Sequence, residues 1–272
     1  MQHLEFFNKD HFDECYHRQK PDPALSKFID FFWETDFDCL WEKHPEGFSD
    51  ALFPNIGYTY LINLGTPFVM QMGDESHEIK SDGFLPRNKN IIAHHTKGNK
   101  VFGIKFKVSP VVLEKKVNFF EYREYIYPLA YLIDREIVNK VKEAGSFADR
   151  VNIVSNYYVG VLKKHPKSLK YVDIVTEILE KSYEANDFTV PIEALSKNYN
   201  ISSRTLQRYF EAATSITSKQ ALQIMRIRKA VEHIKLDPST FHFTAYGYYD
   251  YSHFYKHVRQ FLGKHTRTLF NP

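Results

Sequence analysis

The chain has 272 residues, 43% of them hydrophobic and 25% charged, enough for one large domain or two ordinary ones around a buried core. No apolar run approaches the roughly 20 residues needed to cross a bilayer, and Met1-Gln2-His3-Leu4-Glu5-Phe6 lacks the basic stretch and apolar core of a secretory signal, so a cytoplasmic protein with no membrane partner is expected. The net charge of +3 conceals an asymmetry: from Phe188 onward twelve Lys and Arg face five Asp and Glu, a net of +7, while the residues before it net −4, which is the electrostatic footprint of a polyanion partner on the last third of the chain.

The first ~110 residues read mostly as strands. Phe102, Ile104, Phe106 and Val108 alternate with Gly103, Lys105 and Lys107, the period of a half-buried strand. Tyr58 to Leu64, ending at Gly65, is rich in β-branched and aromatic residues and reads as another. Turn signals recur between such runs, at Glu46-Gly47, Pro54-Asn55, Gly73-Asp74, Asp82-Gly83 and Lys97-Gly98-Asn99. Many short strands with frequent turns predict a β-barrel or sandwich. Cys15 and Cys39 form no metal-like cluster and are expected as reduced thiols.

The periodicity then becomes helical. Leu129, Leu132, Ile133, Ile137 and Val141 make one stripe, and Phe147, Val151, Val154, Tyr158 and Leu162 a second. The second stripe either packs on the barrel or forms a homodimer interface. Lys163 to Ser168, polar and interrupted by Pro166, reads as a linker between a β-rich domain, residues 1–164, and a helical domain, residues 168–272. A helix starting near Ser168 carries Val172, Val175, Ile178, Leu179 and Tyr183 on one face.

Two turn-helix units follow. In the first, Thr189 is expected to cap a short helix with Pro191 in its first turn, Asn200 to take a left-handed conformation at the turn, and Ser202 to cap the next helix. Leu206, Tyr209, Phe210 and Ala213 face inward, leaving Ser203, Arg204, Gln207 and Arg208 outward. Arg can bond bidentately to guanine and Gln to adenine in the major groove. In the second unit Asp250 caps a helix buried through Phe254, Val258, Phe261 and Leu262. Its other face presents Tyr251, Ser252, Tyr255, Lys256 and Arg259, types suited to phosphates as much as to bases. Between the units, Ser218 to Lys235 reads as one helix of about 27 Å, which with the width of its neighbours places the two readers roughly one DNA turn apart.

From about Ser168 to Phe270 the chain resembles the C-terminal DNA-binding domain of AraC-type (AraC/XylS) bacterial transcription regulators. The resemblance rests on Ile192-Glu193-Ala194-Leu195-Ser196, Ser202 to Phe210, Met225-Arg226-Ile227-Arg228-Lys229-Ala230, Gly247 to Phe254, and Phe261-Leu262-Gly263. It implies seven helices with two helix-turn-helix units, base contacts at Arg204, Gln207 and Arg208, and further contacts at Tyr251, Ser252, Tyr255 and Lys256. The chain departs from the pattern at His242, where an aliphatic residue is usual, at Phe243 in an alanine slot, and at Ser218 and Thr266 in place of prolines. An aromatic in an alanine slot implies repacking at roughly 1–3 kcal/mol unless neighbours adjust. The N-terminal half looks like the cupin-like sensor domains that precede such domains, through Pro23-Ala24-Leu25, Phe31-Phe32-Trp33, Pro54-Asn55-Ile56-Gly57 and Phe102 to Phe106.

The expected fold is therefore α+β: a cupin-like β-barrel or sandwich with trailing helices, then an all-α domain with two helix-turn-helix units joined by a long helix. The expected function is sequence-specific regulation of transcription on double-stranded promoter or operator DNA, with a small-molecule effector and a homodimer as open inputs through the sensor domain. The other reading is a cupin-type metalloenzyme carrying a nucleic-acid-binding domain, through His94-His95 and His77-Glu78. Adjacent histidines on a strand point to opposite faces, so His94 and His95 cannot share one metal. No phosphate loop or nucleophile elbow is present, and two cysteines cannot supply a four-thiolate zinc site. No catalytic residue, metal or cofactor is expected.

Overall fold

The strand-forming segments of the first half make two antiparallel sheets in the computed structural model, which describes residues 15–41, 43–115, 117–165, 169–263 and 266. The six-stranded sheet runs β1 (Tyr16–Gln19), β2 (Ile29–Asp36), β9 (Lys100–Phe106), β4 (Tyr58–Asn63), β7 (Gly83–Pro86), β10 (Tyr127–Pro128). The four-stranded sheet runs β3 (Phe48–Leu52), β8 (Ile91–His95), β5 (Phe68–Met72), β6 (Glu75–Ile79). Leu61, Leu85 and Val101 of the larger sheet share one apolar cluster with Phe68, Met70, Ile91 and Ala93 of the smaller, so this is a sandwich filled between its sheets.

The other face of the larger sheet is also covered, and this corrects the half-buried reading of β9. Helix α4 (Phe147–Lys164) lies there, with Tyr158 edge-on to Phe106 at 5.4 Å and Phe147 against Phe102 at 6.1 Å. Its stripe is thus used within the chain. On the opposite face of β9, the Trp33 ring fills the space where a side chain on Gly103 would sit. Lys105 is 1% exposed, with its ammonium donating to the carbonyls of Ile56 and Phe106. Period-two alternation here separates two buried faces. Arg150 secures α4 to β2: its guanidinium donates to Glu34 at 3.0 Å and to the carbonyls of Val141 and Ala144.

The minor helices α1 (Asp38–Trp41) and α2 (Val111–Lys115) and the 3-10 turn Phe119–Tyr122 sit in the connections. The first predicted helical stripe is divided. Leu129 lies in a 3-10 turn, Leu132 and Ile133 follow it, and α3 (Arg135–Glu143) carries only Ile137 and Val141. Cys15 and Cys39 are joined by a disulfide, contrary to the expectation of two reduced thiols. Sequence separation of 24 residues hid their proximity.

Of the predicted linker, Lys163 and Lys164 end α4, and residues 166–168 lie outside the described residues, as do Met1 to Phe6. Five helices then follow: α5 (Lys170–Ala185), α6 (Ile192–Asn198), α7 (Ser203–Thr214), α8 (Ser218–Leu236) and α9 (Tyr251–Leu262). A 3-10 turn at Phe243–Tyr246 lies between the last two of them. The stretch after Gly263, Thr266 apart, lies outside the described residues.

The two halves are keyed together by the loop between β3 and β4. Phe53 leaves the sandwich and is fully buried in the cluster made by Ile227, Val231, Val258 and Phe261 of α8 and α9. Its ring stacks on Phe261 at 5.8 Å. Arg87 holds the loop from the sheet side, donating to the Phe53 carbonyl and to Thr59 Oγ1, both at 3.1 Å. From the helical side, Arg228 donates to the Pro54 carbonyl at 2.8 Å. Gly57 closes the loop at φ +71°, where a Cβ would come within 2.6 Å of the Phe106 carbonyl oxygen. Farther along, Lys107 of the sheet pairs with Glu180 of α5 at 2.8 Å, and Thr176 donates to the Lys27 carbonyl.

A phenylalanine buried across such a contact is expected to contribute as a core residue does. Phe53→Ala should therefore lower unfolding free energy in denaturant by about 3–5 kcal/mol. A loss below about 1 kcal/mol would show that the loop merely rests on the helices.

Candidate nucleic-acid interface

The first turn-helix unit is built by local chemistry. Helix α6 starts at Ile192 with Pro191 at its N-cap position and no side-chain cap. Thr189 does not cap it: the Thr189 hydroxyl and amide both donate to Asp187 Oδ1 instead. Asn200 takes the left-handed conformation at φ 53°. Ser202 then caps α7, its Oγ accepting from the Thr205 amide at 3.1 Å. Leu206, Phe210 and Ala213 are buried, and Arg204 and Arg208 are exposed.

Two of the predicted contacts have other work in this structure. Gln207 is half-buried, its Nε2 donating to Glu211 Oε1 at 2.7 Å. Its Oε1 accepts from the Ser218 hydroxyl at 2.9 Å and the Ser218 amide at 3.4 Å. Gln207 thereby ties α7 to the first residue of α8. This explains serine in a proline slot, because proline has neither an N–H nor a hydroxyl to give. Ser203 lies at 3.2 Å from Ser196 Oγ and joins α7 to α6.

Helix α8 begins with a capping box: Thr217 Oγ1 accepts from the Gln220 amide and Gln220 Oε1 from the Thr217 amide, both at 3.1 Å. Nineteen residues give it a length of about 28 Å. In the second unit Gly247, at φ +72°, turns the chain where a Cβ would meet Thr189 at 2.6 Å. Asp250 caps α9, its Oδ1 accepting from the His253 amide at 2.7 Å. Phe254, Val258, Phe261 and Leu262 are buried.

Tyr251, Ser252, Tyr255, Lys256 and Arg259 all stand on the exposed side of α9. The rings of Tyr251 and Tyr255 stack at 6.1 Å. Tyr249, 96% exposed, joins this edge and was not singled out from sequence. The altered scaffold before α9 resolves simply. His242 is extended and exposed at the N-cap of the 3-10 turn, while Phe241 and Phe243 pack on Phe254 at 5.3 and 6.3 Å.

The inner side of α9 holds His257, with Tyr248 Oη at 3.3 Å from its Nδ1 and Gln223 Nε2 at 3.4 Å from its Nε2. Burial, then the neighbouring His253, Arg226 and Lys256, push its pKa down to about 4. Arg226 lies over the Tyr248 ring at 4.3 Å. In the sandwich, His94 is exposed and bonded to Ser49, while the buried His95 faces Asn99 at 2.7 Å and Asp50 at 3.5 Å. Their opposite orientation is as expected for neighbours on a strand. Among the described residues no three His, Cys, Asp or Glu side chains gather within metal-binding reach. Nor is any helix among them long and apolar enough to cross a membrane.

No family model and no curated protein matches the sequence. Among solved structures, the chain is similar to ToxT from Vibrio cholerae, 10% identical over 94% of this chain and 98% of that one, with a TM-score of 0.44. Unsaturated fatty acid-bound wild-type ToxT from Vibrio cholerae strain SCE256 is 9% identical over 91% and 90%, at 0.42. The AraC-like transcriptional activator CuxR is 8% identical over 83% and 90%, at 0.29. Likeness at that level is one of outline and transfers no residue's role.

The His257 environment carries a pH signature. A histidine held neutral in the folded state binds its proton more readily when unfolded, so stability should fall as pH drops from about 6.5 towards about 4. His257→Gln should flatten that window in pH-dependent denaturation, and an unchanged slope would contradict the assignment.

Proposed function

We propose that the chain is a sequence-specific DNA-binding transcription regulator of the AraC type, acting in the cytoplasm on double-stranded promoter DNA. In this reading residues 1–164 are the sensor half and residues 168–272 the reading half. The observation that carries it is a pair of side-chain-capped helices, α7 and α9, each with a polar outer face and each packed against α8. A spacer of about 28 Å plus the width of its neighbours suits two successive major grooves on one face of a duplex.

The chemistry of the two faces is unequal. Arg204 and Arg208 offer planar forks that match guanine O6 and N7. Gln207 is engaged by Glu211 and Ser218, so in this reading the two arginines carry the base contacts. On α9, Tyr251, Ser252, Tyr255, Lys256 and Arg259 favour phosphates and thymine methyls, so α9 holds DNA that α7 reads.

The sensor half can act on the readers because it touches both. Helix α7 lies against the 3-10 turn Phe119–Tyr122, and Phe53 enters the core beneath α9. A cleft of about 360 Å³ lies between β2, β9, α5 and α8. Phe31, Phe106 and Leu179 give it apolar walls, and Lys107, Glu180 and Arg228 a charged rim. A small-molecule effector seated there would touch sheet and spacer helix together, which is the requirement for shifting a two-state arrangement.

The test is selection of bound fragments from a random and a genomic DNA pool, with the full chain and two variants. A motif of two half-sites about one turn apart is expected. Arg204→Ala should relax preference at one base position by about 1–3 kcal/mol. Lys256→Ala should weaken all sites alike and reduce the salt slope by about 1. Recovery of no motif would overturn the proposal.

A further inference from the structure

A second cleft, of about 370 Å³, lies on the other flank of α8, between the turn after β7, the body of α8 and the inner side of α9. Its lining differs in kind from the first. Five primary amides converge on it: Asn88 and Asn90 from the sandwich, Gln220 and Gln223 from α8, and Gln260 from α9. Ile224, Ile227 and Phe261 supply an apolar wall.

Charge is nearly absent from its chemistry. Lys89, the one Lys or Arg of the lining, is paired with Glu124 at 2.5 Å. His257, also in the lining, is held neutral by burial. The amides are only partly used within the protein. Gln220 Oε1 serves the α8 cap and Asn90 Nδ2 reaches the Gln260 carbonyl at 3.4 Å. Asn88 Oδ1 is buried and has no hydrogen-bond partner among the described residues.

A primary amide carries a donor and an acceptor side by side, the pattern that pairs bidentately with the amino and ring-nitrogen edge of a base. An apolar wall beside such groups accepts the flat face of a ring. We propose that this cleft is a small-molecule site for an uncharged purine base or nucleoside. A bound molecule would bridge Asn88 of the sandwich to Gln223 of α8 and Gln260 of α9. It would thereby hold α9 against the sandwich beside the Phe53 loop. The binding claim stands whether or not the chain reads DNA.

Isothermal titration of the full chain with adenosine and guanosine tests it, with methyl glucoside as a neutral polyhydroxyl probe. Saturable one-to-one binding of either nucleoside is expected, weakened at least tenfold in Gln223→Ala and in Gln260→Ala. Gln260 is exposed, so its replacement leaves the fold unaffected. Glu180→Gln, in the other cleft, should leave the affinity unchanged. Absence of nucleoside binding at millimolar concentration, affinity in both glutamine variants unchanged from that of the parent chain, or binding of methyl glucoside alone would each overturn the proposal.

Discussion

The arrangement of this molecule depends on one side chain that leaves its own sandwich. Phe53 sits at the end of a strand yet is buried among residues of α8 and α9, stacked on Phe261. Arg87 grips the loop backbone from one half and Arg228 from the other. Buried aromatic area gives the contact its strength, and charge-assisted bonds to two successive carbonyls give it orientation. Both clefts lie beside this key: Asn55 and Ile56 line one, and Pro54 the other. A change in either cleft therefore acts on the same joint.

What the joint positions is a spacer with two unequal ends. At one end α7 carries arginine forks, and Gln207 fastens it to the first turn of α8. Farther along it, α9 carries tyrosines and single cations and is backed by Phe241 and Phe243. In the proposed function, a reader joined to a phosphate-gripping partner would gain register from one and residence from the other. The division follows from side-chain chemistry and does not require the two units to be equally well built.

The features legible in the sequence are those decided within a few residues. Asn200, Ser202 and Asp250 act as read, because a left-handed turn and an N-cap are satisfied by neighbours three residues away at most. The exposure of Arg204, Arg208 and the α9 set follows from helical period alone. Apart from Thr189, the features missed are non-local. The bond from Ser218 to Gln207 gave no local signal, because the two lie eleven residues apart across a helix junction. Strand β9 looked half-buried because period two cannot reveal that Trp33 covers its other face. Thr189 looked like a cap, but Asp187 took both of its donors. Phe53 and the Cys15–Cys39 bond gave no local signal.

The central claim is that α7 and α9 engage DNA together, at a separation set by α8. Hydroxyl-radical footprinting of the full chain on a selected site measures this directly. Two protected backbone patches on one face, about 10–10.5 base pairs apart, are the result the account requires. A single patch, or two whose spacing varies from site to site, would contradict it.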